Sequence, residues 1–457
     1  MIDEKFIFSG AARTKVLSLI VVGVVLLLLG IWRISSPSYN SHGHGDHGDG
    51  HGTENVHTEA KAGDHGDHAE HATAAHDEHS AHKPVWVLRI LKNLWHNNVF
   101  FTGIAVIGLF FVAFNYVAWA GWGVVVKRVA EAFGYWIPVA AVLMIIVFAI
   151  GNHDLFHWAH TGISDKMIDG KPNPHYDEII AGKSGYLNMA FYWARMIAYF
   201  GLWFLIWAVL RKNSVKEDLE GGVKLHDNSV IWSAFFLFVF GVTSSTSAWD
   251  WVMSIDTHFF STMFGWYVFA SWFVTGLAVI TLFVLFLKDA GYLKVVNHSH
   301  LHDLGKYVFA FSIFWTYVWF AQFLLIYYAN IPEESIYFVE RLQSDPYTPI
   351  FFMNLIANFV FPLLILMTRE AKRQSIILKI VCFVVIFGHW FDFYIMMTPP
   401  ILGENGALDF TTLLVELGMT LVYAGAFIFV VLWGLTKANL VPKNHPMLQE
   451  SLHHHIY

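Results

Sequence analysis

Ten stretches of this chain are apolar for roughly the length that crosses a lipid bilayer. They run over 14–33, 99–120, 135–158, 187–210, 229–253, 263–287, 306–329, 349–368, 376–397 and 411–436, and a span needs about 20 such residues. Inside lipid no water satisfies a free N–H or C=O, so a spanning segment must close its hydrogen bonds on itself. Runs of this length without strand alternation do so as helices. The rest of the composition agrees: of 457 residues, 56% are hydrophobic, 17% aromatic and only 14% charged. The expected fold is an all-α integral membrane protein with about ten transmembrane helices.

Basic residues set the direction of threading. Of the 28 Lys and Arg, 18 fall in or beside the N-terminus, the C-terminus and the loops after spans 2, 4, 6 and 8. Nine fall on the opposite side, in longer loops, and Arg195 is left inside a span. The positive-inside rule places both termini in the cytoplasm. The apolar run from Val16 to Trp32 is followed by Trp32-Arg33, a poor cleavage site, so it is expected to be retained as the first span. The single cysteine, Cys382, lies in an apolar run and excludes disulfides and thiolate metal sites.

Two sets of four spans, 95–253 and 263–397, end alike. Each closes on an aromatic-Asp-aromatic triplet: Trp249-Asp250-Trp251 and Phe391-Asp392-Phe393. Four spans per set keep the sets parallel. The expectation is two up-down four-helix bundles plus two outlying helices, at 1–37 and 411–436, with a cytoplasmic tail over 437–457.

Ionisable residues within the spans gather at one end. His153, Asp154, His157, Arg195, Asp250, His389, Asp392 and Glu416 all fall toward the periplasmic side of this topology. Charge inside lipid is costly and marks a bundle interior, a pathway or a site. His153, His157 and His160 are spaced to share one helix face, with Asp154 beside it. A His-Asp pair suits quinol oxidation, since imidazole accepts a hydroxyl proton near neutral pH and the carboxylate relays it. An interfacial helix end facing headgroups explains the same residues. Arg195 needs an anion, Asp154 or Asp250. Thr243-Ser244-Ser245-Thr246-Ser247 allows close helix packing or lines a water chain. His389 and Asp392 share a face near the bilayer midplane, and Glu416, Asn354, Asn358 and Gln322 lie at similar depth. The cytoplasmic halves carry almost no titratable groups, which favours a periplasm-facing half-channel over a complete one.

Residues 38–84 read differently. Eleven histidines, from His42 to His82, alternate with Gly, Asp, Glu and Ala without apolar periodicity. Such a segment buries no core and is expected to be a disordered periplasmic linker. His42, His44, His47 and His51 are weak metal-ligand candidates, since imidazole beside carboxylate binds zinc, copper or nickel; a polar tether is the plainer reading.

The stretch Thr246-Ser247-Ala248-Trp249-Asp250-Trp251-Val252-Met253-Ser254-Ile255-Asp256-Thr257-His258-Phe259-Phe260-Ser261-Thr262-Met263-Phe264-Gly265-Trp266 resembles the F subunit of bacterial alternative complex III, in the polysulfide-reductase-type (NrfD-like) membrane family. Residues 388–400, beginning Gly388-His389-Trp390-Phe391-Asp392-Phe393-Tyr394, and the histidine-rich loop agree with it. The resemblance covers about 95–436. It implies a place in a quinol:cytochrome c or quinol:copper-protein oxidoreductase. The partners it implies are a pentahaem cytochrome, a periplasmic iron–sulfur protein and a sister NrfD-like subunit, with a terminal oxidase as a further candidate. Haem and iron–sulfur clusters would sit in those partners, and quinone is the one cofactor this chain itself could hold. In the family, the sister subunit's quinol site uses a His on one span and an acid on the next. Here span 3 has His153 and Asp154 but span 4 offers Arg195 and no carboxylate, so scaffolding and proton handling are the expected roles. A purely structural anchor, a b-type haem subunit and a histidine-rich divalent-metal transporter are the competing readings. No nucleic-acid partner is expected.

Overall fold

The computed structural model describes residues 4–36, 83–168 and 170–455. The candidate ligands His42, His44, His47 and His51, and nearly all of the 38–84 linker, lie outside the described residues. Ten helical runs are long and apolar enough to cross a membrane: α1 (Gly10–Ile34), α2 (Val85–Val117), α3 (Gly121–Leu155), α4 (Met189–Glu220), α5 (Lys224–Ile255), α6 (Phe264–Asp289), α7 (His298–Ala329), α8 (Thr348–Ile365), α9 (Ser375–Gly406) and α10 (Phe410–Leu435).

The expected spans are all present, but several helices start earlier or run longer. α2 begins at Val85 rather than 99, and α3 at Gly121 rather than 135. The added turns carry Arg89, Lys92, Lys127, Arg128 and Glu131, which hydropathy assigns to loops. All of them are buried here, because each meets an opposite charge on a neighbouring helix. α3 is a run of short 3-10 and α segments, with Pro138 near the start of its long segment Ile137–Leu155. α8 widens into a π-helical turn over Ile356–Val360 just before Pro362. Proline has no N–H to give and its ring crowds the carbonyl four residues back, and the wider turn relieves both.

α2 is the hub, touching α3, α5, α6, α9 and α10. α4 packs on α3 and α5. α6 packs on α5, α7 and α9, and α8 on α7 and α9. Polar side chains on α2 fasten these contacts. Asn93 donates to Val415 O of α10 (3.2 Å), Trp95 to Trp251 O of α5 (2.8 Å) and Asn98 to Ala140 O of α3 (3.2 Å). Asn97 accepts from Trp390 of α9 at 3.2 Å.

α1 lies outside this core and packs on α10. Its buried face is Val16, Gly23 and Gly30, one residue every seven, or about two helical turns. A Cβ on Gly23 would come within 2.8 Å of Gly418 O, and one on Gly418 within 2.5 Å of Leu27 N. The two backbones therefore touch directly, the close approach that small residues permit between membrane helices. The rest of α1 is open, with Val21, Leu28 and Trp32 all exposed. Both described ends of the chain meet at one end of the bundle, where Leu440 N donates to Glu4 O at 2.8 Å. From there residues 437–455 run beneath the helices.

Gly418→Leu inserts a side chain where there is backbone. It should lower stability in detergent by about 1–3 kcal/mol, read as a lower unfolding midpoint, whereas Gly182→Ala, with open space around its Cβ, should leave the midpoint unchanged.

Candidate functional site

The membrane-embedded carboxylates occupy three separate settings. At the end of the bundle away from the termini, Glu416 of α10 is fully buried against α2. It accepts from Lys92 Nζ at 2.8 Å and Arg89 Nη1 at 3.3 Å. Two cations face one anion, and the surplus charge is spread over oxygen and ring faces. Arg89 also donates to Asn405 O and to Ala407 O, past the C-terminal end of the regular α9 helix, where helix carbonyls carry partial negative charge. Lys92 Nζ stands 4.2 Å from the Tyr394 ring centre, a cation–π arrangement. One turn further, the His96 ring lies 4.8 Å from that of Trp390.

Arg195 of α4 chooses between its two expected partners: it pairs with Asp250, not Asp154. The fork is bidentate, Nε to Oδ2 at 2.7 Å and Nη2 to Oδ1 at 2.9 Å, the strongest geometry for this pair. Tyr199 OH adds a third donor to Asp250 at 2.8 Å, and the guanidinium lies 3.9 Å from the Tyr186 ring centre. The hydroxyl run ahead of Asp250 serves packing in part. Thr243 accepts from Trp203 Nε1 at 2.9 Å, and Ser245 lies against Gly265 of α6.

Asp392 of α9 is held by neutral donors instead. Tyr267 OH, Ser271 Oγ (2.5 Å), Trp315 Nε1 (2.9 Å) and Asn354 Nδ2 (2.8 Å) all reach it, from α6, α7 and α8. His389 Nδ1 stands 3.6 Å away, beyond hydrogen-bond length, and its ring meets Trp315 edge-on at 5.3 Å. The two aromatic-Asp-aromatic triplets therefore differ: Asp250 faces a cation, and Asp392 is tied into a four-helix hydrogen-bond network.

The expected histidine face of span 3 does not form as a helix face. The helix stops at Leu155, Phe156 turns to an extended conformation (φ −128°) and His157–Ala159 is a 3-10 turn. His153 and His157 are exposed and His160 half-buried. Asp154 pairs with Lys83 at 2.6 Å. The four residues form a surface patch at the mouth of the bundle rather than a lining of a buried cavity, although His160 does fold back to within 5.7 Å of His153 and 5.5 Å of His157, ring to ring.

A dense polar cluster at the terminal end went unseen in the sequence, and it corrects the expectation of an uncharged cytoplasmic half. Glu131 of α3 accepts from Arg211 Nη1 (2.7 Å) and Ser214 Oγ (2.6 Å) of α4. Arg128 reaches Asp218 at 3.0 Å. Lys127 donates to Tyr116 OH at 2.7 Å and stands 3.8 Å from Glu217. His226 and His445 complete the group. Its sequence signal was the helical continuation of Lys127, Arg128 and Glu131 into span 3, at i, i+3 and i+4 spacing.

A large apolar cleft of about 650 Å³ lies between the α1–α10 pair and α2, α6 and α9; Phe100, Phe283, Phe387, Trp390 and Phe427 line it, with Lys15 at its rim.

The loop between α3 and α4 is fastened by Asp177. It caps the helix Glu178–Lys183 through Ile179 N (2.9 Å) and Ile180 N (3.0 Å), and meets His258 Nε2 at 2.6 Å. Partial burial pushes its carboxyl up, but the Ile180 bond, His258 and the Ile179 bond together hold it below the usual carboxylate range. A depressed carboxylate stabilises fully above its unfolded pKa, near 4, and that contribution is lost as pH falls through the lower folded value. Protease sensitivity of residues 170–188 should therefore be flat from pH 7 to about 5 and rise below about 4; Asp177→Asn should be sensitive throughout.

Removing one partner of a buried ion pair strands the other. Arg195→Ala or Asp250→Ala alone should cost about 3–5 kcal/mol, while Arg195→Met with Asp250→Leu should cost far less, measured by unfolding midpoints in detergent.

Compared with known proteins, the chain matches no family model and no curated protein.

Proposed function

We propose that this chain is a scaffolding membrane subunit of a respiratory quinol oxidoreductase of the alternative complex III kind. The observation that carries the scaffold role is internal compensation. Asp250 and Asp392 each spend both oxygens on groups of the same chain, and Glu416 gives Oε1 to Lys92 and Arg89. A carboxylate that relays protons needs a free position for water or substrate, and Asp250 and Asp392 have none because both oxygens of each hold helices together; Glu416 keeps Oε2 without a hydrogen-bond partner, but it is buried between two cations. The resemblance of residues 246–266 and 388–400 supplies the complex: a pentahaem cytochrome, a periplasmic iron–sulfur protein and a sister NrfD-like subunit as partners, in a bacterial inner membrane with both termini cytoplasmic. The neighbour pattern supports two four-helix rings, α2–α5 and α6–α9, sharing the α2–α6 seam, with α1 and α10 paired outside.

A second reading, a secondary quinone site, is favoured by the apolar cleft. Its volume suits a small-molecule site, and its aromatic walls suit an isoprenoid tail. On this reading His153 and Asp154 stay outside the chemistry, since they lie on the far surface rather than in the cleft.

Gentle-detergent purification of the tagged chain should recover a multihaem cytochrome and an iron–sulfur protein, identified by haem absorbance and mass spectrometry. A colourless chain recovered alone would sink the proposal. Asp250→Asn and Asp392→Asn should weaken recovery of those partners while the complex that does form keeps its proton release per electron. A drop in that ratio in an intact complex would instead favour a proton path through these residues.

A further inference from the structure

Glu217, His226 and His445 come from three places: the last turn of α4, the first turn of α5 and the segment beneath the bundle. All three are buried, and one ligand atom from each lies within 4.8 Å of the other two. The His226 and His445 rings stand 5.0 Å apart, nearly perpendicular. Among the described residues, both ring nitrogens of His226 and both carboxylate oxygens of Glu217 are buried without a hydrogen-bond partner. Buried polar atoms seldom go unpaired, and four in one cluster point to something that belongs among them. A cavity of about 10 Å³, room for roughly one water-sized sphere, adjoins the histidines and is lined also by Tyr116, Lys127 and Met447.

We propose that these residues bind a divalent transition ion of the zinc class, which ties residues 437–455 to the ends of α4 and α5. Two imidazoles and one carboxylate are a donor set that zinc accepts, with water in the fourth position. Tetrahedral bonds of about 2.0–2.2 Å bring donors roughly 3.4 Å apart, so the three side chains close by about 1 Å on binding. His445 gives up a long contact from Met447 N (3.2 Å). Lys127 Nζ, 3.8 Å from Glu217, competes with the ion for the carboxylate. The site is separate from the helix-binding carboxylates and does not rest on the respiratory assignment.

The test is cobalt titration of the full chain in detergent, purified through a tag without histidine and washed with EDTA. One equivalent of Co(II) should give visible tetrahedral absorption. His226→Ala, His445→Ala and Glu217→Gln should each weaken that equivalent roughly tenfold or more. The histidine-rich stretch is common to every variant and cancels in the difference. Lys127→Met should bind more tightly than the unaltered chain. Zn(II) should protect residues 437–455 from protease in the unaltered chain and not in His445→Ala. Identical cobalt spectra and affinities across the set would leave an adventitious ion only and overturn the inference. Should the ligand variants unfold, unchanged affinity in Lys127→Met together with no zinc protection of the tail overturns it equally.

Discussion

Two cations of α2 facing one carboxylate of α10 anchor the hub helix of this protein. Arg89 and Lys92 are buried against Glu416, in a setting where an uncompensated charge would cost several kcal/mol. The attraction alone leaves an excess positive charge. The backbone oxygens of Asn405 and Ala407 and the ring of Tyr394 absorb it. The arrangement works only if α2, α9 and α10 keep their relative heights, so the ion cluster fixes register as well as proximity. With α2 held, its Asn93, Trp95, Asn97 and Asn98 hold α10, α5, α9 and α3 in turn, and α6 packs on its remaining face.

Charge is treated differently in the two halves of the chain. Around α4 and α5 an acid is matched by arginine: Asp250 with Arg195 at one end, Glu131 with Arg211 at the other. Around α6 to α9 the acid has no strong cation, and Asp392 is held by a phenol, a hydroxyl, an indole and an amide. Ion pairs tolerate some movement because attraction falls off slowly. A carboxylate held only by neutral donors depends on short, directional bonds, which demand a rigid setting. The crowd of Trp315, Trp319 and Phe351 nearby supplies it.

The number of spans and their middle portions were legible in the sequence, because about 20 apolar residues have few alternatives. Their ends were not. Arg89 and Lys92 look like loop residues until Glu416, more than 300 positions away, is seen to meet them; local hydropathy has no access to that. The same holds for Lys127 and Glu131 against Arg211 and Ser214. Arg195 was recognisable as needing an anion, but the choice of Asp250 over Asp154 was not, since α3 and α5 both pack on α4 and Asp154 is taken by Lys83. The face shared by His153, His157 and His160 failed for a local reason, the extended turn at Phe156. The contact of Gly23 with Gly418 depends on the pairing of α1 with α10, which local sequence does not give.

The segment beneath the helices sets an order of events. Ser451 Oγ donates to Trp122 O at 2.7 Å, Lys443 N to Asp218 Oδ1 at 2.9 Å, and His454 meets Asp303 at 2.6 Å. These contacts cover the start of α3, the end of α4 and the start of α7, yet they are made by residues translated after all ten helices. His445 and Met447, which line the same cavity as Lys127 and His226, are therefore added to this floor after the helices that carry its charges. That end of the bundle is thus closed last, by residues that follow the helices they cover.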